Sequence, residues 1–192
     1  DERAEIIKET LEVEVVKSSI SGSSLIGSLS VANSKGIVVS PHVLDREVEQ
    51  FKELGLEVAA IPGNYTAVGN IVAANDNGAI VSPFLSEDAI NTIESTLDVD
   101  VEATSMVGSD IIGSLISVTN KGFLISSTAV ESEVDFSRKV FGVEGDVGTV
   151  GRGISLVGAC SIANSNGAIV AKDSTGPEMA RVEEALGFLD DL

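Results

Sequence analysis

Cysteine and histidine each occur once in this chain of 192 residues, and tyrosine also occurs once. One thiol, Cys160, cannot close an internal disulfide, as expected of a protein kept in a reducing compartment such as the cytoplasm. One imidazole, His42, has no second histidine to share metal or base duty. No run of 18 apolar residues exists, which excludes an apolar membrane-spanning helix. The N-terminus (Asp1, Glu2, Arg3, Glu5) is charged and carries no apolar signal region. No low-complexity stretch or proline-rich linker marks a boundary, so residues 1–192 read as one domain. Cations are scarce: 12 Lys and Arg face 30 Asp and Glu, for a net charge of −18. A field of that sign opposes broad phosphate binding and favours basic partners, although it also serves solubility or life in a salty or hot cytosol. The charge is unevenly spread. Residues 18–34 and 58–75 carry none, 103–119 carry only Asp110 and 147–171 only Arg152.

What the chain does have is a repeat. A glycine, eight residues and a second glycine recur as Gly27/Gly36, Gly69/Gly78, Gly113/Gly122 and Gly158/Gly167, offset by 42, 44 and 45 residues. A fixed period of this size means one supersecondary unit used several times. Four copies begin near residues 21, 63, 106 and 151. Residues 1–20 match the back half of the second copy, so they read as a partial first repeat. With no initiator Met, this half-repeat points to a truncated chain whose first repeat has lost its opening strands.

Within a copy, the residues between the glycines predict a short strand: Ser28–Ala32, Asn70–Ala74, Ser114–Val118 and Ala159–Ala163. An Asn/Gly turn follows, as in Asn33-Ser34-Lys35-Gly36 or Asn75-Asp76-Asn77-Gly78, where both residue types tolerate the positive φ of tight hairpins. The third copy has Thr119 in place of the first Asn. A continuous apolar run then predicts a strand buried on both faces (Ile37–Val39, Ala79–Val81, Phe123–Ile125, Ala168–Val170). A helix comes next. Ser86 is expected to cap it in the second copy, with Ile90, Ile93 and Leu97 as its apolar stripe. Val48, Phe51 and Leu54 with Gly55 as C-cap do so in the first, Thr128 with Glu131 caps the third, and Thr175 before Gly176-Pro177 caps the fourth. A last alternating strand (Val13–Val16, Val58–Ile61, Val99 and Val101) completes a ββαβ unit. The helix in every copy argues against propeller blades, and favours an α/β ring or array with sheets inside and helices outside.

These residues resemble the translation initiation factor 6 family of archaea and eukaryotes. The resemblance covers the whole chain and is carried by Ser21–Leu29, TAVGNIVAANDNGAIVSP (Thr66–Pro83), VGACSIANSNGAIV (Val157–Val170) and DSTGPEMARVEEALGFL (Asp173–Leu189). It implies a pentein, an α/β propeller of five quasi-identical ββαβ repeats around a pseudo-fivefold axis. The repeats would fall at about 1–20 (partial), 21–62, 63–105, 106–150 and 151–192. It also implies binding of the large (50S) ribosomal subunit, prevention of its joining to the small one, and contact with a basic ribosomal protein near the sarcin-ricin loop. Neither a catalytic activity nor a cofactor is implied, and a monomer is expected.

Departures from the repeat single out candidate binding residues. Asn70 follows Gly69 where the other copies have Ser28, Ser114 and Ala159, and the resemblance puts it in the face that meets the ribosomal protein. Thr66 and Tyr65 lie just upstream in the same uncharged loop; a tyrosine suits an interface anchor. Ser28 corresponds to an arginine of eukaryotic members, and Ser23, Ser24 and Asn33 lie on neighbouring loops. Turn chemistry is the plain alternative for all of them. Penteins also include guanidine-modifying enzymes that attack with a cysteine, which makes such an enzyme the alternative function, beside a structural protein-binding ring. Cys160, however, shares its column with Leu29, Ile71 and Leu115 and reads as a buried apolar filler. The acids of 12–14 and 98–102 read as solvated edge strands rather than metal ligands, and Gly148–Gly158 lacks the Lys and Ser/Thr of a phosphate loop.

Overall fold

A computed structural model describes residues 2–189. In chain order the elements are α1 (Glu2–Leu11), α2 (Ile26–Leu29), β1 (Ser30–Ala32), β2 (Gly36–Val39), α3 (Asp45–Lys52), β3 (Glu57–Ala60), α4 (Val68–Ile71), β4 (Val72–Ala74), β5 (Gly78–Val81), α5 (Glu87–Leu97), β6 (Asp100–Ala103), α6 (Ile112–Leu115), β7 (Ile116–Val118), β8 (Phe123–Ser126), α7 (Glu131–Phe141), β9 (Gly145–Gly148), β10 (Ser161–Ala163), β11 (Ala168–Val170) and α8 (Gly176–Ala185), with a 3-10 turn at Gly158–Cys160. The protein is a mixed α/β fold of several small sheets. Three sheets share one plan, β1-β2-β3, β4-β5-β6 and β7-β8-β9, and the fourth pairs β10 with β11. The first two strands of each plan form an antiparallel hairpin, and the third runs parallel to the second. A parallel return needs a crossover, which the intervening helix supplies.

Internal contacts divide the chain into two bodies, one of residues 17–113 and one of residues 1–16 with 114–192. In the first, β2 is wholly buried because each of its faces meets a helix. Ile37 and Val39 join Ile20 and Phe51 of α3, while Val38 joins Ala89, Ile93 and Leu97 of α5. The helix of one repeat therefore roofs its own sheet and the sheet before it. In the second body Val182, Ala185 and Leu186 pack with Leu124, Val150 and Val157, and Phe123 meets Phe141 with ring centroids 5.9 Å apart. Here β8 is buried, but β11 is only half-buried, unlike the fully enclosed strand expected.

The repeat glycines mark close approaches. A Cβ on Gly36 would strike the carbonyl of Thr96, one on Gly122 that of Ala185, and one on Gly167 that of Thr10. Each is thus pressed against a helix C-terminus. The first glycine of the pair has a separate role: a Cβ on Gly69 would strike the Gly27 carbonyl, and one on Gly113 the Gly69 carbonyl. Positive φ is not the reason for the turn glycines, since none of Gly36, Gly78, Gly122 and Gly167 adopts it. The turn is made by a side chain instead. Asn33 Oδ1 accepts from the N–H groups of Lys35 (2.9 Å) and Gly36 (3.1 Å), and Asn164 Oδ1 does the same for Asn166 and Gly167. Thr119 fills this role in the third copy through Oγ1, accepting from Lys121 and Gly122, so its hydroxyl replaces the missing Asn.

Several expectations are corrected. Residues 28–29, 70–71, 114–115 and 159–160 are not strand; they belong to one helical turn, and the strand that follows has three residues. Thr128 does not cap α7, whose N-cap is Val130, and Glu133 accepts from the Val130 N–H at 2.9 Å. Leu54 lies beyond α3 and is exposed, and the C-cap is Glu53 rather than Gly55. Val13–Val16 form no strand; Val13 N–H instead closes the end of α1 on Lys8 O at 3.3 Å. A third strand pairs with the second strand of its own repeat, and no such strand precedes α1 among the described residues. Asp98 stands outside β6 as a left-handed cap, leaving Asp100 and Glu102 on that exposed edge. The caps Ser86 and Thr175 are as expected, accepting from Ala89 and Glu178 N–H.

Candidate partner-binding face

Two short helical turns, α2 and α4, abut because Gly69 lets its backbone rest on the Gly27 carbonyl. Ser28 and Asn70 each follow one of these glycines, so the close approach brings both side chains onto neighbouring turns. Both residues are half-buried. The Asn70 N–H donates to Ala67 O at 3.0 Å, which closes the turn, but its side-chain amide has no hydrogen-bond partner among the described residues. The local bonding that would make Asn70 mere scaffold is therefore not there.

The loop entering α4 holds Tyr65 and Thr66. Thr66 is exposed. The Tyr65 ring lies against Gly63, whose φ of +98° puts it in the region glycine alone adopts readily, and its Oη donates to Phe84 O at 2.8 Å. Ser23 and Ser24 lie on the corresponding loop before α2. Ser23 pairs backbone groups with Ile20 at 2.9 and 3.0 Å and its Oγ accepts from Leu25 N–H at 3.2 Å, whereas Ser24 is exposed. Asn33 is elsewhere, at the turn end of the β1–β2 hairpin. Its Nδ2 donates to Leu97 O at 2.7 Å and Asn75 O at 3.2 Å, so its amide is committed to holding α5.

Sequence reasoning missed a set of carboxylates that hold the loops preceding the helical turns. Glu47 of α3 is 1 % exposed, and it accepts from Ser19 Oγ (2.6 Å), Ser21 N–H (2.8 Å), Gly22 N–H (2.9 Å) and Leu44 N–H (2.9 Å). Burial pushes its pKa up, but these bonds to the charged form outweigh it and hold the carboxyl at about 2, from an ordinary 4.5. Glu178 of α8 does the same for the last repeat. It accepts from Thr175 N–H (2.8 Å), Gly153 N–H (2.8 Å), Arg152 N–H (3.1 Å) and Thr149 Oγ1 (2.8 Å). Its pKa falls to about 2, chiefly through the Thr175 and Gly153 N–H groups. Ser21 and Gly22, like Arg152 and Gly153, have positive φ, and the carboxylate fixes each such pair. The signal was countable in the repeat: Glu47, Glu133 and Glu178 share one column, and only the second copy breaks it, with Ala89. Tyr65 holds the loop of that copy instead.

Cys160 is half-buried in its 3-10 turn and packs on the core of Val150, Val157 and Leu186; full burial in a strand was expected. His42 is exposed after β2. No cluster of three or more His, Cys, Asp or Glu side chains able to hold a metal occurs among the described residues. No described helix is long and apolar enough to cross a membrane.

Comparison with known proteins places the chain in a family. The family model described as the eIF-6 family matches residues 1–185. Translation initiation factor 6 of Methanobrevibacter smithii is 81% identical over 192 residues, covering 100% of this chain and 86% of the relative. Translation initiation factor 6 of Pyrococcus abyssi is 40% identical (98% of this chain, 86% of the relative), and that of Methanocaldococcus jannaschii 41% (95% and 83%). A family match over nearly the whole length, joined to relatives far above 30% identity, leaves one conclusion: the chain belongs to the eIF-6 family of translation initiation factors.

Proposed function

We propose that this protein binds the large ribosomal subunit and, by its bulk, keeps the small subunit from joining. The observation that carries this reading is the match to translation initiation factors 6 along the chain, up to 81% identity. The mechanism is steric. No bond is made or broken, and no cofactor takes part; the protein acts in the cytoplasm as a monomer. Its partner is a basic ribosomal protein near the sarcin-ricin loop, met by Asn70, Gly69, Thr66, Tyr65, Ser28, Ser23 and Ser24, with Asn33 positioning the hairpin beneath them. A net charge of −18 complements such a partner. The Asn70 amide, without a hydrogen-bond partner among the described residues, supports its place at the centre of the face.

The same reading takes the whole chain as one pentein ring of ββαβ modules. Support comes from a contact that recurs. Asn33 of one repeat donates to Leu97 O at the end of the next repeat's helix, and Asn164 of the last repeat donates likewise to Leu11 O of α1 at 2.8 Å. The last repeat thus treats α1 as the helix of a following module, which is what closure requires.

Sucrose-gradient sedimentation tests the function. Saturating protein should shift mixed subunits from joined particles to free 50S and 30S, and unchanged joining overturns the reading. Asn70→Arg should weaken binding to isolated large subunits about tenfold or more, by placing a bulky cation against a basic surface, without lowering Tm. Unaltered binding removes Asn70 from the face.

A further inference from the structure

The second repeat departs from its siblings at one more position. Phe84 shares a column with His42, Thr128 and Asp173, all polar, yet it is 71% exposed, the most exposed large apolar side chain among the described residues. The backbone that carries it is tied down. Its carbonyl accepts from Tyr65 Oη at 2.8 Å, its N–H donates to Ser82 Oγ at 3.4 Å, Pro83 restricts the backbone before it, and Leu85 after it is buried with its N–H on Ser82 O. The turn sits at the same end of the β4–β5 hairpin as α4, since Ser82 N–H donates to Ile71 O at 2.9 Å. Phe84 therefore stands beside Tyr65, at the hairpin end that holds α4 with Asn70. Three and four residues further on, Glu87 and Asp88 occupy the exposed first turn of α5, and neither carboxylate has a cationic partner among the described residues.

An exposed aromatic held on a rigid turn next to unpaired carboxylates is complementary to a guanidinium, which stacks on a ring face while pairing with an acid. We propose that Phe84, with Glu87 and Asp88, forms the anchor of the ribosome-binding face and receives an arginine side chain of the basic protein partner. Rigid presentation matters here because the backbone that carries the ring loses little freedom on binding. The inference rests on the proposed function and adds to it the residues that contribute most and the chemistry they select.

Equilibrium cosedimentation of the full chain with purified large subunits, alongside Tm, provides the test. Phe84→Ala should weaken binding about tenfold while Tm stays within a few degrees, and Phe84→Leu, which keeps apolar area but no ring, should still lose severalfold. Wild-type binding matched by Phe84→Ala overturns the anchor and leaves the proposed function standing. Phe84→Leu binding like wild type overturns the guanidinium stack. Equal, Phe84-dependent binding to protein-free large-subunit RNA overturns the protein partner. Failure of the wild-type chain to bind large subunits at all overturns the function and the inference with it.

Discussion

Glu47 replaces water with four protein donors, three of them backbone N–H groups that no other side chain satisfies. Replacing it with Gln turns one acceptor into a donor facing donors, and should cost about 1–3 kcal/mol at neutral pH. The pH dependence follows from its depressed pKa. The folded carboxyl titrates at about 2 and the unfolded one near 4.5, so its contribution is complete above pH 4.5 and fades as pH falls toward 2. Thermal melts at pH 7, 4 and 3 should show the gap between wild type and Glu47→Gln shrinking with acid; a constant gap refutes the role. Single residues were legible in the sequence where their partner is local. Ser86 and Thr175 cap within three residues and could be read directly. Glu47 could not, since three of its four donors lie 25 to 28 residues away and only folding brings them together.

Elements were legible in kind and order, less so in their bounds. The ββαβ plan is present in three sheets because the apolar period dictates it. The helical turns that hold Gly27, Gly69 and Gly113 escaped notice, as four residues such as Ile-Gly-Ser-Leu or Val-Gly-Asn-Ile carry no periodicity that separates turn from strand. The glycines were read as turn makers, whereas their lack of a Cβ is what the packing uses. Gly36→Ala should therefore destabilise by about 2 kcal/mol or more through overpacking against the Thr96 carbonyl, despite a φ that alanine tolerates. Ile93→Ala in α5, fully buried between two sheets, should cost about 2–5 kcal/mol. Urea melts measure both, and a midpoint within error of wild type for either variant refutes the packing argument.

At the scale of the molecule, the charge of −18 should act, in the proposed binding, on rate more than on final affinity. Association with large subunits should slow severalfold between low and physiological salt, while dissociation barely moves, as stopped-flow fluorescence can resolve. The excess of acid was evident from composition alone. Which polar side chains of the uncharged loops stay unengaged was not, because 18–34 and 58–75 hold both committed amides such as Asn33 and ones without a partner among the described residues such as Asn70. The placement of α5, shared by two sheets, has one last consequence. One face of β2 is covered by α3 of its own module and the other by α5 of the next, so cutting the chain after the β4–β5 hairpin would strip the neighbour upstream as well. Inheritance of such a chain is all or nothing: half a copy cannot be trimmed without unroofing the one beside it.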